Sequence, residues 1–148
     1  MKKTTLNLML TLTCIAALTA LALAAVPATL MTAKIPFEFH VGSNTFPAGT
    51  YVVSNAASPG IVILRNEQDT KKNVATITNA NYVRTANEKA TLEFRRYGAQ
   101  YFLSRVMPQG TATNMELPKS RSEREAADGA KNLAGTSVKP EIVTVVGQ

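Results

Sequence analysis

Tryptophan is absent from this chain, and cysteine and histidine occur once each, as Cys14 and His40. Each shortage removes a class of chemistry. One His and one Cys cannot supply the nitrogen and sulfur ligands of a tetrahedral zinc site. With no second Cys there is no internal disulfide, so an exported domain made from this chain must be held by its own core. Without Trp, the ring best suited to stacking on sugars is missing. The ten carboxylates are scattered, with no D-x-[DN]-x-[DN]-G loop for calcium. No G-x-S-x-G elbow and no glycine-rich phosphate loop is present. Nucleophilic catalysis needs a nucleophile with a base in reach. His40 stands two residues from Glu38, on the same face of a strand, and reads as an ordinary strand-face residue. Glu38 and Glu93 are the strand-borne carboxylates a glycosidase would need face to face, and no spacing brings them together. The expectation is a chain with no catalytic residue, no metal and no cofactor.

What the chain does have begins at its N-terminus. Lys2 and Lys3 precede an uncharged apolar stretch from Leu6 to Leu23, and Ala20, Ala22, Ala24 and Ala25 follow the small-residue pattern of a signal-peptidase site. Residues 1–25 are therefore expected to be a signal peptide, and 26–148 a single β-rich domain. An uncleaved anchor is the rival, since a membrane span needs about 20 apolar residues; it would be the chain's one contact with a membrane. Cys14 follows Thr13 in mid-stretch, not at the end of the apolar region, and so does not read as a lipidated cysteine. Loss of Lys2 and Lys3 lowers the formal charge from +6 to +4, a mild excess consistent with solubility or with weak attraction to anionic surfaces.

The remainder reads as short strands separated by Gly, Pro and Asn. Leu30 to Val41 is one expected strand, with Phe37, Phe39 and Val41 alternating with Glu38 and His40, and with Pro36 marking a start or an edge. Thr50–Ser54, Ile61–Arg65 and Val74–Thr78 follow, the second apolar enough to be central. TLEFRRY and QYFLSRVM flank Gly98-Ala99 and predict a hairpin with a type II′ turn. Its register sets Tyr97 opposite Gln100, Phe94 opposite Leu103 and Leu92 opposite Arg105. Leu92, Phe94, Tyr101 and Leu103 then share one face, with Arg96 and Arg105 at its ends; Glu93, Arg95, Tyr97, Phe102 and Ser104 share the other. Met115–Leu117 is a further short strand. Ser120 and Glu123 form a capping-box signal for a polar helix over about 120–128, with Gly129 as its cap. A linker over about 130–140 leads to a final strand over about 141–147.

The strongest binding candidate is the basic cluster of the hairpin. Arg95, Arg96 and Arg105, with Tyr97 and Tyr101 between them, offer guanidinium forks and rings suited to a weakly bound anion. An anionic envelope polymer or another envelope protein is the expected partner class. Export and modest charge argue against nucleic acid.

The blocks IPFEFHVGSNTFPAGTYVV, FRRYGAQYFLSRV and ELPKSRSERE resemble the recurring blocks of a family of small exported bacterial β-rich proteins of unassigned function. The resemblance spans about Ile35 to Glu125. It implies export and one β-rich domain, and carries over no functional residue.

Together these readings predict an all-β domain, a sandwich or small barrel of about seven or eight mostly antiparallel strands, with one short polar helix near the C-terminus. The expected role is that of an exported, periplasmic or extracellular protein acting in binding or assembly. The alternatives are a small hydrolase or isomerase with a pocket between strands, and a structural subunit that donates its last strand. Intact-mass analysis of the exported protein should give a chain beginning near Ala25 or Val26; a membrane-bound species retaining Met1 would show an uncleaved anchor.

Overall fold

The computed structural model describes residues 27–134 and 139–148. The expected signal peptide over 1–25, and residues 135–138 of the expected linker, lie outside them. The described residues form eleven strands and one helix: β1 (Thr29–Ile35), β2 (Phe39–Val41), β3 (Asn44–Phe46), β4 (Gly49–Asn55), β5 (Ile61–Asn66), β6 (Asn73–Ile77), β7 (Asn79–Tyr82), β8 (Thr91–Tyr97), β9 (Gln100–Met107), β10 (Thr113–Glu116), α1 (Arg121–Ala134) and β11 (Glu141–Val146). They make two packed sheets and no closed barrel: the expected sandwich. The first sheet has the order β1-β4-β5-β6, and the second β11-β8-β9-β10-β7. Every pairing is antiparallel except one parallel bridge, His40 to Phe102, by which β2 joins β9.

The expected strand over Leu30–Val41 is divided. β1 belongs to the first sheet, and β2 to the second. The break falls on Pro36, which has no N–H to give a ladder. The chain uses that gap to cross between layers, and Phe39 and Val41 still point inward at 0% and 1% exposure. Strands β2, β3 and β7 account for most of the excess over the expected count. Asn79–Tyr82 carries no strand signal, because two of its four residues are Asn and it has no apolar alternation; it forms by continuing β6 through Thr78 into pairing with β10.

The hairpin of β8 and β9 has the expected turn, with Gly98 at φ 60° and Tyr97 opposite Gln100. Phe94 stands opposite Leu103, as the alternation requires. Beyond that pair Ser104 forms a bulge, so Leu92 faces Val106 and Glu93 faces Arg105. The extra residue transfers Arg105 from the Leu92 face to the Glu93 face. Leu92, Phe94, Leu103 and Val106 are all buried. The helix also outruns its expected end. Gly129 lies inside it with ordinary helical φ, and Ala130 and Lys131 continue it. Its inner stripe is Glu123, Ala126, Ala127 and Ala130, at helical spacing.

β11 pairs with β8 of its own sheet over Glu141–Val146. Beyond it, the last two residues tie the sheets together. Gly147 N–H donates to Ala90 O, while Gln148 and Thr32 exchange both backbone hydrogen bonds at 2.8 Å. A Cβ on Gly147 would sit 3.1 Å from Met31 Sδ and 3.2 Å from Thr32 O, so a side chain there would crowd this closure. Gly147→Val is expected to cost about 1–3 kcal/mol through overpacking, read by urea unfolding. Gly129→Ala meets no atom within 4 Å and should raise stability by about 0.5–1 kcal/mol.

Candidate functional site

The hairpin cluster does not converge on one surface. Arg95 and Tyr97 lie beneath α1. Arg95 Nη1 is 3.1 Å from Glu123 Oε1, with side-chain exposures of 11% and 3%, and its Nη2 donates to Leu117 O. Tyr97 OH donates to the same Glu123 oxygen at 3.3 Å. Arg96 and Tyr101 are at the turn end of the opposite face. The Arg96 guanidinium lies 5.3 Å from the Tyr101 ring centroid and pairs with Glu141 at 3.1 Å. Arg105, moved by the bulge, pairs with Glu93 at 3.2 Å and approaches Glu116 at 4.0 Å. Each guanidinium has a carboxylate of its own chain beside it, so an anion arriving at any of the three competes with that partner.

His40 meets Thr45 Oγ1 at 3.1 Å and stacks on Phe102 with centroids 4.8 Å apart, while Glu38 is exposed. Glu93 is engaged by Arg105. Among the described residues there is no group of His, Cys, Asp and Glu that could hold a metal, and no helix long and apolar enough to cross a membrane.

Glu123 is the buried carboxylate whose contacts sequence reasoning missed, although its capping signal is present. Ser120 Oγ accepts the Glu123 N–H at 3.1 Å, which is one half of a capping box. The Glu123 carboxylate bonds Arg95 and Tyr97 across the interface, so the helix is anchored to the sheet through it. Ser122 Oγ adds a bond to Gly42 O at 3.0 Å. Burial raises the Glu123 pKa above its usual 4.5, against the opposing pull of Arg95 and Lys119. Burial also raises that of the Tyr97 hydroxyl, with the nearby Glu123 charge adding to it.

A second feature joins segments far apart in sequence. A cleft of about 430 Å³ opens at one end of the sandwich, between the Asn55–Gly60 turn of the first sheet and Ala80, Pro108, Thr111, Thr113 and Met115 of the second. Leu30 and Thr78 complete it. Its lining is mostly apolar, with amide and hydroxyl groups and no charged side chain. No single stretch of the sequence signals it, because each segment reads as an ordinary turn or strand end.

Comparison with protein-family models, curated proteins and solved structures finds no match for this chain.

The Glu123 environment sets a pH dependence. A carboxyl whose folded pKa lies above its unfolded value stabilises the fold most below the unfolded value, and that stability is lost as pH rises through the folded one. Glu123→Gln removes this component. Urea unfolding between about pH 4 and about pH 7 should show wild type losing more stability than the variant as pH rises. Parallel pH profiles would exclude the contribution.

Proposed function

We infer that the chain is an exported, non-enzymatic binding protein whose site is the cleft at the end of the sandwich. The observation that carries this reading is the cleft's lining: about 430 Å³ of space bounded by apolar, amide and hydroxyl groups with no charge. That volume is in the range of small-molecule sites, about 300–1,000 Å³. Acid–base chemistry, or activation of a hydroxyl as nucleophile, needs a base in reach; the lining offers Ser and Thr hydroxyls and no acidic, basic or His side chain beside them. Burial of apolar surface would supply the affinity, and Asn55, Thr78, Thr111 and Thr113 the orienting hydrogen bonds. The ligand class is a small uncharged molecule with one apolar face. Export rests on the leader-like N-terminus, where Lys2 and Lys3 precede the uncharged stretch Leu6 to Leu23.

The test is two-dimensional NMR of the purified protein titrated with a panel of small uncharged amphipathic compounds. Shifts should concentrate at Ala57, Gly60, Thr78 and Thr113. Ala57→Trp, which puts a large ring on an exposed turn residue at the cleft wall, should weaken binding at least tenfold while leaving the spectrum of the distant helix unchanged. A panel that perturbs other surfaces, or a variant that binds as wild type does, would overturn the reading.

A further inference from the structure

The two sheets end on strands of very different kinds. On one side, β1 and β11 are joined through Thr32 and Gln148, and β11 starts with the charged Glu141 after Pro140. On the other side lie β6, paired with β5 alone, and the shorter β7, paired with β10 alone, among the described residues. Asn73–Ile77 contains no charge, no proline and no bulge, the devices that keep edge strands from pairing.

The direction of the free backbone groups follows from the ladder. Asn66 N–H donates to Lys72 O at 2.9 Å, and Thr78 N–H donates to Gly60 O at 2.7 Å. Between these bonded pairs, Leu64 stands opposite Val74 and Val62 opposite Thr76. Antiparallel pairs alternate between bonded and non-bonded, so Val74 and Thr76 use their backbone groups on β5. Asn73, Ala75 and Ile77 aim theirs at the open side. All three are exposed, Ile77 by 69%.

We propose that this edge pairs with the same edge of a second copy, β6 antiparallel to β6 about a two-fold axis at Ala75, making one continuous sheet from the two first sheets. The strand is self-complementary in that register. Ala75 faces Ala75 of the second copy in a bonded pair, and Asn73 faces Ile77. Val74 and Thr76, half-buried in the single chain, cover each other. Lys72 falls opposite Thr78, so no like charges meet. An isologous contact requires this kind of self-match, and the five strand residues Asn73–Ile77 carry no charge by which to choose a different partner. A pairing over five residues buries less than the roughly 1,200 Å² of a standard stable interface, so the dimer is weak and forms by mass action. The inference is independent of the cleft.

Sedimentation equilibrium of the purified protein, from about 10 μM to about 1 mM, reads it directly. The weight-average mass should climb from monomer toward dimer and no further. Ala75→Lys places like charges directly opposite and should weaken the dimer at least tenfold. Ala75→Pro removes an N–H that β5 does not use, a change edge strands accept, and should do the same. Both variants should melt at the wild-type temperature at low concentration; if the proline variant fails to fold, the lysine variant carries the test. A protein that stays monomeric throughout, an assembly that grows past the dimer, or an Ala75→Lys variant that associates as wild type does would each overturn the proposal.

Discussion

Phe39 touches both layers of the sandwich and has no exposed surface. Its ring meets Tyr51 of the first sheet edge-on with centroids 5.1 Å apart, meets Phe94 of the second at 5.4 Å, and stacks on Phe46 at 5.6 Å. Around this group the inward side chains Met31, Val53, Leu64, Leu92 and Val106 complete one cluster. Large aromatic side chains contribute more buried area than any others, and edge-on pairs add about 0.5–1.5 kcal/mol each. With no disulfide to link them, the two sheets are held mainly by this buried contact, with the Thr32–Gln148 hydrogen bonds closing one side. The crossover at Pro36 matters because it delivers Phe39 to the second sheet while β1 remains in the first.

The outer side of the second sheet is held differently. Alanines on the inner stripe of α1 bury little area, and a short helix with such a face is marginal by itself. Glu123 supplies the anchor, through Arg95 and Tyr97 on β8. Removing one member of a buried ion pair leaves the other charge unpaired, which is far more costly than replacing both. Two arginines that looked available for an external anion, Arg95 and Arg105, are thus absorbed into internal pairing, Arg95 to seat the helix and Arg105 to bind Glu93 beside the bulge.

The cleft and the β6 edge meet at one corner of the sandwich. The cleft forms where the turn after β4 and the turn after β9 fail to meet. Among the described residues β6 pairs on one side only, because the chain leaves the first sheet at Thr78 and continues into the second as β7. That corner is fixed by Thr78, whose N–H and hydroxyl both bond Gly60 O. Gly60 and Thr78 also line the cleft, so one small contact shapes the wall of the cleft and sets where the free edge ends.

Much of the fold was legible in the residues themselves. Period-two alternation marked β2 and β6, because a strand with one buried face must alternate, while β-rich composition marked β4, β8 and β9 and a near-continuous apolar run marked β5. Gly98-Ala99 set the hairpin turn, since a positive φ there requires glycine. Ser120 and Glu123 marked the helix start through local capping. The bulge at Ser104 was not legible, because it depends on how β9 must curve to meet β10 and the core. For the same reason Arg105 was assigned to the wrong face: one inserted residue reverses every side chain beyond it. β7 gave no signal, since its pairing with β10 is carried by backbone groups that every residue possesses. The helix ran through Gly129 because the residues after it favour helix and nothing crowds the position. By itself the sequence determined the fold class and most of the strand-forming segments, which follow from local pattern and composition. Only the tertiary structure decided which arginines are neutralised, where the cleft opens and which described strands pair on one side only, because each of these depends on contacts between segments far apart along the chain.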